Sequence, residues 1–519
     1  MLGLLGACLV VPLAFGHVPP AAALRPLQAI TGLSPAVLAP GGRPTAAPAA
    51  PGQPTGGPAH GLLPGVPGGV GSPGSPSGAG AAPGPAGPAG LTGVGTGGAA
   101  AGRTASDVGV TADTVTLGVF LIDLSAARKA GVNVAAYDPE QQKIYWNAFI
   151  ADANSRGGAN GRRIVPAFET VDVLDNSTFA AQCKQITETD HAFAVTNILG
   201  FYGPPILCIT RDHQTPWLAY DDLVSSYYAA SQGRAFTVGP STLRTELNLA
   251  ARLEASGELT DAAGQPKKIG YLHEDGYLND DNRTVMACLA SRGHVVTEGL
   301  HSSSSSTNAA TDLQIAAQKM CAAGDTAVFL ATNSIYAPQF VRDVTAQPGC
   351  APEYLTSDFD FEMAGDTFLT GASGMPAQFY DRALSVTSSR VGEGRTGNPE
   401  PAVDARCRSV FEHAPGGTPL DRNSTANALY FTVISACSLV QSFVAGMQGA
   451  GLNPTRSSFS SALAQRGGFD NPGFGASSFT PDRTNGPTQV RIARAFADCG
   501  DGSAKPCWKP LEGFQPAAY

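Results

Sequence analysis

Thr114-Val115-Thr116-Leu117-Gly118-Val119-Phe120 is a β-rich run, and a loop follows around Asp123-Leu124-Ser125. From 141 to 154 the apolar residues Ile144, Tyr145, Ala148, Phe149 and Ala151 recur at helical spacing, and Gly157-Gly158 supplies a stop. Residues 164–168 then read as a second strand and 178–186 as a second helix. A third strand is expected over 193–199, a helix start over 205–211 and a fourth strand at Trp217-Leu218-Ala219. Strands alternating with helices in this way pack as a parallel sheet covered on both faces.

Toward the C-terminus the rhythm restarts. A helix over 247–255 precedes the strand Ile269-Gly270-Tyr271-Leu272, and 281–291 is helical with Val285, Cys288 and Leu289 on one face. Strand texture returns at 293–296 and 326–331, and helical texture at 313–322 and 336–345. Two such stretches imply an α/β protein with two doubly wound lobes. Beyond residue 360 come a long apolar helix over 425–447, strand-like Gln489-Val490-Arg491-Ile492-Ala493 and a loop between Cys499 and Cys507.

Toward the N-terminus the material is different. Residues 41–102 contain no Phe, Tyr, Trp, Asp or Glu, and about half of them are Gly or Pro. Such a stretch cannot bury enough apolar surface to offset its ordering entropy, so 24–106 is expected to be a disordered linker. Its roughly 60-residue low-complexity part would reach about 45 Å root-mean-square as a flexible tether. Ahead of it, the apolar run 2–16 and Ala21-Ala22-Ala23 read as a signal peptide over 1–23. Leu5-Gly6-Ala7-Cys8 offers a second reading, a lipid anchor at Cys8. Either way the expected location is extracytoplasmic. No later segment holds 18 consecutive apolar residues, the length at which a spanning helix is suspected.

With 519 residues and 43% hydrophobic content, the chain exceeds what one core usually holds. A net charge of −9 and no Lys/Arg cluster argue against a nucleic-acid partner. Apart from Cys8 there are nine cysteines, and an exported chain should pair most of them. Short separations suggest Cys183–Cys208, Cys321–Cys350, Cys407–Cys437 and Cys499–Cys507, which leaves Cys288 as a buried thiol.

Catalytic signatures are absent from the sequence. There is no Gly-x-Ser-x-Gly elbow, no phosphate loop, no HExxH helix and no CxxC pair, so neither a cofactor nor a metal is expected. His213 and His273 read as structural. The pairs Asp221-Asp222 and Asp358/Asp360 could imitate a glycosidase dyad if they faced one another. Binding without chemistry is the expectation; a sensor or adhesion module on a stalk and a cleft hydrolase are the alternatives.

Three stretches carry a likeness to a known family. Gly109-Val110-Thr111-Ala112-Asp113-Thr114-Val115-Thr116-Leu117-Gly118 resembles the opening strand of the branched-chain amino-acid-binding receptors of ABC transporters. Asn154-Ser155-Arg156-Gly157-Gly158-Ala159-Asn160-Gly161-Arg162-Arg163-Ile164 is similar to that family's first helix end and second strand. Phe479-Thr480-Pro481-Asp482-Arg483-Thr484-Asn485-Gly486 resembles its late signature. The likeness implies a type I periplasmic-binding fold whose chain crosses between lobes near residues 240, 360 and 478. One lobe would comprise 107–240 with 360–478, and the other 241–359 with 479–519. It also implies a small-molecule ligand held in the cleft, a membrane permease as partner, and a monomer.

Carried over position by position, the resemblance puts ligand contacts at Leu124 and Ser125, at Phe201, Tyr202 and Gly203, and at Tyr220 and Asp221 in the first lobe. In the second it puts them at Tyr277, Asp358 and Asp360. One departure stands out. The family often has a Ser and free helix N–H groups after the third strand, whereas Pro204 and Pro205 have no N–H to offer an amino-acid carboxylate.

Overall fold

In a computed structural model, the described residues are 102–125, 138–172, 176–198, 205–220, 223–276, 278–302, 306–332, 336–358, 374–380, 382–422, 429–500 and 506–519. The expected signal peptide and nearly all of the linker lie outside them.

The first sheet has five strands: β1 (Thr114–Asp123), β2 (Arg163–Asp172), β3 (Ala194–Thr196), β4 (Trp217–Ala219) and β5 (Ala235–Thr237). They run parallel in the order β2-β1-β3-β4-β5. β1 shows why a doubly wound sheet forms. Val115, Leu117, Val119 and Leu121 enter one apolar cluster, while Phe120 and Ile122 enter the other. Helix α1 (Pro139–Ser155) covers the first face; α2 (Asn176–Lys184) and α3 (Ser225–Ala230) belong to the second. A side chain at Gly118 would meet Ile186 Cδ1 at 2.7 Å, so glycine here lets the second-face chain close on the strand.

Helix α4 (Thr242–Ser256) opens the second lobe. Five parallel strands follow: β6 (Ile269–Glu274), β7 (Val296–His301), β8 (Ala327–Ala331), β9 (Glu353–Ser357) and β10 (Ala383–Thr387). Their order, β7-β6-β8-β9-β10, repeats that of the first sheet. Helices α5 (Asn279–Ser291), α6 (Ser306–Ala323) and α7 (Ala337–Thr345) intervene. α4 and α5 pack on one face, α6 and α7 on the other.

The chain then returns to the first lobe. There α8 (Ala402–Glu412), α9 (Leu429–Gly449), α10 (Arg456–Ala464) and the short hairpin β11 (Gly467–Phe469)/β12 (Ser477–Phe479) form. α9 is long and apolar enough to cross a bilayer, yet Val433, Ile434, Leu439, Val440 and Phe443 are buried in the first-lobe core. Finally β13 (Gln489–Phe496) runs antiparallel to β10, and β14 (Cys507–Pro510) and β15 (Gln515–Pro516) pair with β13.

The family-like stretch at 154–164 is a structural clasp. Asn154 holds the start of β2 from both sides: its Nδ2 donates to the Ile164 carbonyl at 3.0 Å, and its Oδ1 accepts from Ile164 N at 2.7 Å. Asn160, at φ 53°, donates through Nδ2 to the Met447 and Gly451 carbonyls, closing the C-terminal end of α9. Gly158 sits at φ +63°, and a Cβ there would lie 2.0 Å from the Arg162 carbonyl oxygen, so only glycine fits.

Two expectations are corrected. β10 belongs to the second sheet, so the second crossing follows Thr387 rather than falling near residue 360. All five β10 residues are buried, which erases the in-out alternation by which a strand is recognised. Cys288 is not a thiol but half of a disulfide whose partner lies outside the described residues. Ranking pairs by sequence separation cannot anticipate a bridge of that kind. The four other expected bridges are all formed.

Candidate functional site

In open α/β sheets ligands sit outside the carboxyl ends of the strands, where the strand order reverses. Here that means between β1 and β3 in the first sheet and between β6 and β8 in the second. The strand ends on either side of both places are among the described residues, whereas 126–137, 199–204, 277 and 333–335 in the loops that leave them are not.

In the first lobe Asp123 ends β1, and its Oδ1 accepts from Ser125 N at 2.7 Å, which fixes the turn carrying Leu124 and Ser125. Both turn residues are half-buried, and Leu124 packs against both apolar clusters. Gln142 of α1 exchanges hydrogen bonds with the Ile122 backbone, at 2.9 and 2.6 Å, and so ties the helix to this strand end. Across the reversal, Asn197 follows β3. Its side chain is fully buried, and neither Oδ1 nor Nδ2 has a protein partner. A buried amide left unpaired costs about 1–3 kcal/mol, so Asn197 carries an unmet hydrogen-bonding demand at this strand end. Sequence reading did not single out Asn197, because a buried Asn makes no periodic signal.

In the second lobe Glu274 ends β6 and Asp275 follows, its N–H donating to the His301 carbonyl at 2.9 Å. His301 ends β7, and its Nε2 pairs with Thr332 Oγ1, just past β8, at 2.7 Å. The Tyr336 ring packs on the imidazole with 4.8 Å between centroids. Burial pushes His301 down to about 4, so it is neutral at pH 7. Burial, then the charges of Glu274 and Asp275, push the Tyr336 phenol up.

Of the other expected contacts, Tyr220 is buried in the first-lobe core, its ring 5.0 Å from that of Phe474. Asp358 is buried at the end of β9. Its Oδ1 accepts from Thr387 Oγ1 and its Oδ2 from Ser388 N and Oγ, so the carboxylate holds the exit of β10 into the crossing. Phe201, Tyr202, Gly203, Asp221, Tyr277 and Asp360 lie outside the described residues. His273, fully enclosed, bonds the Glu274 carbonyl and Glu298, in keeping with a structural role.

Three crossing segments join the lobes. Thr237 N donates to the Thr484 carbonyl, Gly475 N to that of Ser388, and Arg390 N to that of Gly473. Arg244 at the start of α4 fastens the joint by donating to the Asn485, Pro487 and Tyr519 carbonyls. Away from the joint, the lobes meet again where Leu278 enters the first-lobe cluster and Asp281 of α5 accepts from Ser225 N of α3 at 3.1 Å. Removing this carboxylate in Asp281→Ala should weaken the contact between the lobes by about 1 kcal/mol while leaving both cores intact. Small-angle scattering should then report a larger radius of gyration; an unchanged radius would mean that this contact does not hold the lobes together.

A separate cavity of about 710 Å³ opens at the amino ends of the first-lobe strands, lined by Asp107, His213, Arg234, Arg456 and Ser460 among others. It is remote from both strand-order reversals, and Arg456 there is engaged by the Ala192, Phe193 and His213 carbonyls. The geometry of the strand ends outweighs cavity size in locating the site. Cys183, Cys208 and His213 come together, but the two sulfurs form a disulfide and offer no thiolate to a metal.

No family model matches the sequence, and no curated protein matches it either. Solved structures do match the fold. A fatty acid ABC transporter substrate-binding protein from Thermomonospora curvata superposes with a TM-score of 0.55 at 14% identity, covering 79% of this chain and 94% of its own. A type 1 periplasmic binding protein from Bordetella pertussis matches at TM-score 0.55 and 16% identity, covering 77% of this chain and 100% of its own. A solute-binding protein of an ABC transporter from Rhodopseudomonas palustris, in complex with 3,4-dihydroxybenzoic acid, matches at TM-score 0.54 and 12% identity over 78% and 98% of the two chains. The fold is thus the type I periplasmic-binding fold.

Proposed function

We propose that this protein, built on the type I periplasmic-binding fold, captures a small solute between its lobes outside the cytoplasm and delivers it to the membrane permease of an ABC importer. The observation that carries the reading is the matched pair of strand-order reversals on two sheets tied by three crossing segments, a layout suited to hinge closure. The four bridges between described cysteines fit an oxidising compartment. The fold-mates named above are substrate-binding proteins, which supports the same reading by analogy.

Leu124, Ser125 and Asn197 from the first lobe, with Glu274, Asp275 and Tyr336 from the second, are the proposed contacts among described residues. Phe201, Tyr202, Gly203, Asp221, Tyr277 and Asp360 remain proposed from sequence. Tyr220 and Asp358 would act from behind, as core and hinge. Because Asp358 is held by Thr387 and Ser388, it is a poor member of a hydrolytic dyad, which favours binding without chemistry.

The test is a thermal-shift screen of the protein, disulfides formed, against amino acids, amines, sugars and aromatic acids. A true ligand should stabilise by about 2.7 kcal/mol at a hundredfold excess over its dissociation constant. Recovery of the ligand unchanged would support capture; its consumption would overturn it in favour of an enzyme.

A further inference from the structure

We infer that residues 514–519 form a strap across the joint, with an aromatic anchor at each end, that restrains the three crossing segments and limits how far the lobes open. This rests on the hinge closure of the solute-capture reading and is independent of which solute is captured.

The strap meets each crossing in turn. Phe514 lies against the second: its ring centroid is 5.5 Å from the guanidinium carbon of Arg390 and 4.4 Å from that of Arg491 on β13. Gly475, whose N–H donates to the Ser388 carbonyl, adjoins the same ring. A Cβ at Gly475 would come within 3.1 Å of Phe514 Cδ1, so glycine lets the ring seat here. Gln515 and Pro516 pair with Val490 and Gln489 of β13, and Ala517 N donates to the Thr488 carbonyl at 2.8 Å, at the exit of the third crossing. Ala518 N and Tyr519 N both donate to Asn248 Oδ1, at 2.9 and 3.1 Å, on the helix that the first crossing enters.

Arg244 joins these attachments. Its Nε and Nη2 donate to the Tyr519 carbonyl at 2.9 and 2.7 Å, and Nη2 also donates to the Pro487 carbonyl at 2.7 Å. Arg292, just past α5, donates to the Tyr519 hydroxyl at 3.2 Å and fixes the second ring. A hinge turns when its segments change their backbone angles and shift relative to one another. A stretch bonded beside the first and third crossings and packed on the second opposes that shift.

The strap is also placed to lift. Gln515, Pro516 and Ala518 are exposed, while Phe514, Ala517 and Tyr519 are half-buried. Detaching it therefore opens no core, which puts it among segments of low local stability. Beside Phe514 a cavity of about 280 Å³, lined by Glu393, Thr396, Asn398 and Arg491 among others, leaves room for that end to move.

Hydrogen exchange and small-angle scattering of the protein with residues 514–519 deleted test this. Thr237, Arg390 and Gly475 bond across the crossings through their N–H groups. Peptides carrying them should exchange at least about tenfold faster in the deletion variant, with peptides from β1 and β6 unchanged and the radius of gyration increased. If the deletion variant does not fold, Phe514→Ala, at a half-buried position, should still speed exchange in the same peptides several-fold. Unchanged exchange in the three peptides would overturn the strap, and so would acceleration spread evenly over both lobes, the mark of general destabilisation. Asp281→Ala separates the strap from the hinge. If it enlarges the radius while the deletion does not, the strap falls and hinge closure stands; if neither does, alone or combined, both fall.

Discussion

Replacing Arg162 with Met should lower the stability of the folded body by about 3–5 kcal/mol, read as a fall in the denaturation midpoint with little change in the slope. The side chain is fully buried. Its Nε donates to the Thr111 carbonyl at 2.6 Å, its Nη1 to that of Leu452 at 2.7 Å and its Nη2 to that of Thr104 at 3.0 Å. One guanidinium therefore ties together the entry to β1, the start of β2 and the segment that follows α9, which are far apart in sequence. Methionine fills much of the volume but supplies no donor, so three carbonyls would lose a charge-assisted partner at once. Lysine would not substitute, because one ammonium cannot reach three acceptors in the planar fan of a guanidinium. A loss below about 1 kcal/mol would mean that water replaces the guanidinium freely and that the clasp is incidental.

That clasp also explains what the sequence could and could not disclose. Asn154, Gly158, Asn160 and Arg162 form the most specific part of the family likeness, and each is explained by backbone contacts rather than by a ligand. The fold was legible because such joints demand particular residues: a glycine where a Cβ would strike a carbonyl, an Asn where a helix end needs donors. β1 and β6 were legible too, since their apolar runs are long. β9 and β10 were not, because Thr356, Ser357, Ser385 and Thr387 are polar yet buried, and composition alone reads them as loop.

The site was less legible than the fold. Glu274 and Asp275 were visible as a strand followed by a loop, but their meeting with His301, Thr332 and Tyr336 depends on β7 and β8 lying on either side of β6. Strand order is a long-range property with no local signature. Asp358 shows the converse ambiguity. An acid at a lobe crossing reads equally as a ligand contact or as a hinge, and the hydroxyls of Thr387 and Ser388 that it accepts from, about 30 residues away, have no local signature.

Glu246→Gln should make the protein more stable, by about 3 kcal/mol at pH 8, and should flatten its stability between pH 4.5 and 7. Glu246 lies on α4 near the joint and is almost fully enclosed. Its Oε1 accepts from Ser357 Oγ at 2.5 Å, while its Oε2 has no partner. Burial, only partly opposed by the Ser357 hydrogen bond, pushes the carboxyl from 4.5 up to about 7. An acid whose folded-state pKa is raised binds its proton more tightly when folded. Folding is therefore most favoured below the unfolded value and loses free energy as pH rises through the window from 4.5 to about 7. At 1.36 kcal/mol per pH unit the loss is about 3 kcal/mol, all of it present at pH 8. Glutamine keeps an oxygen for Ser357 and has no charge to bury, so the variant escapes the loss. Denaturant titrations of both proteins at pH 5 and pH 8 should show curves that nearly coincide at the lower pH and separate at the higher. Equal separation at both values would mean that the carboxyl is ionised throughout. On the solute-capture reading proposed above, an acid of this kind beside Ser357 and the Asp358 joint places its instability next to the segments on which closure would turn.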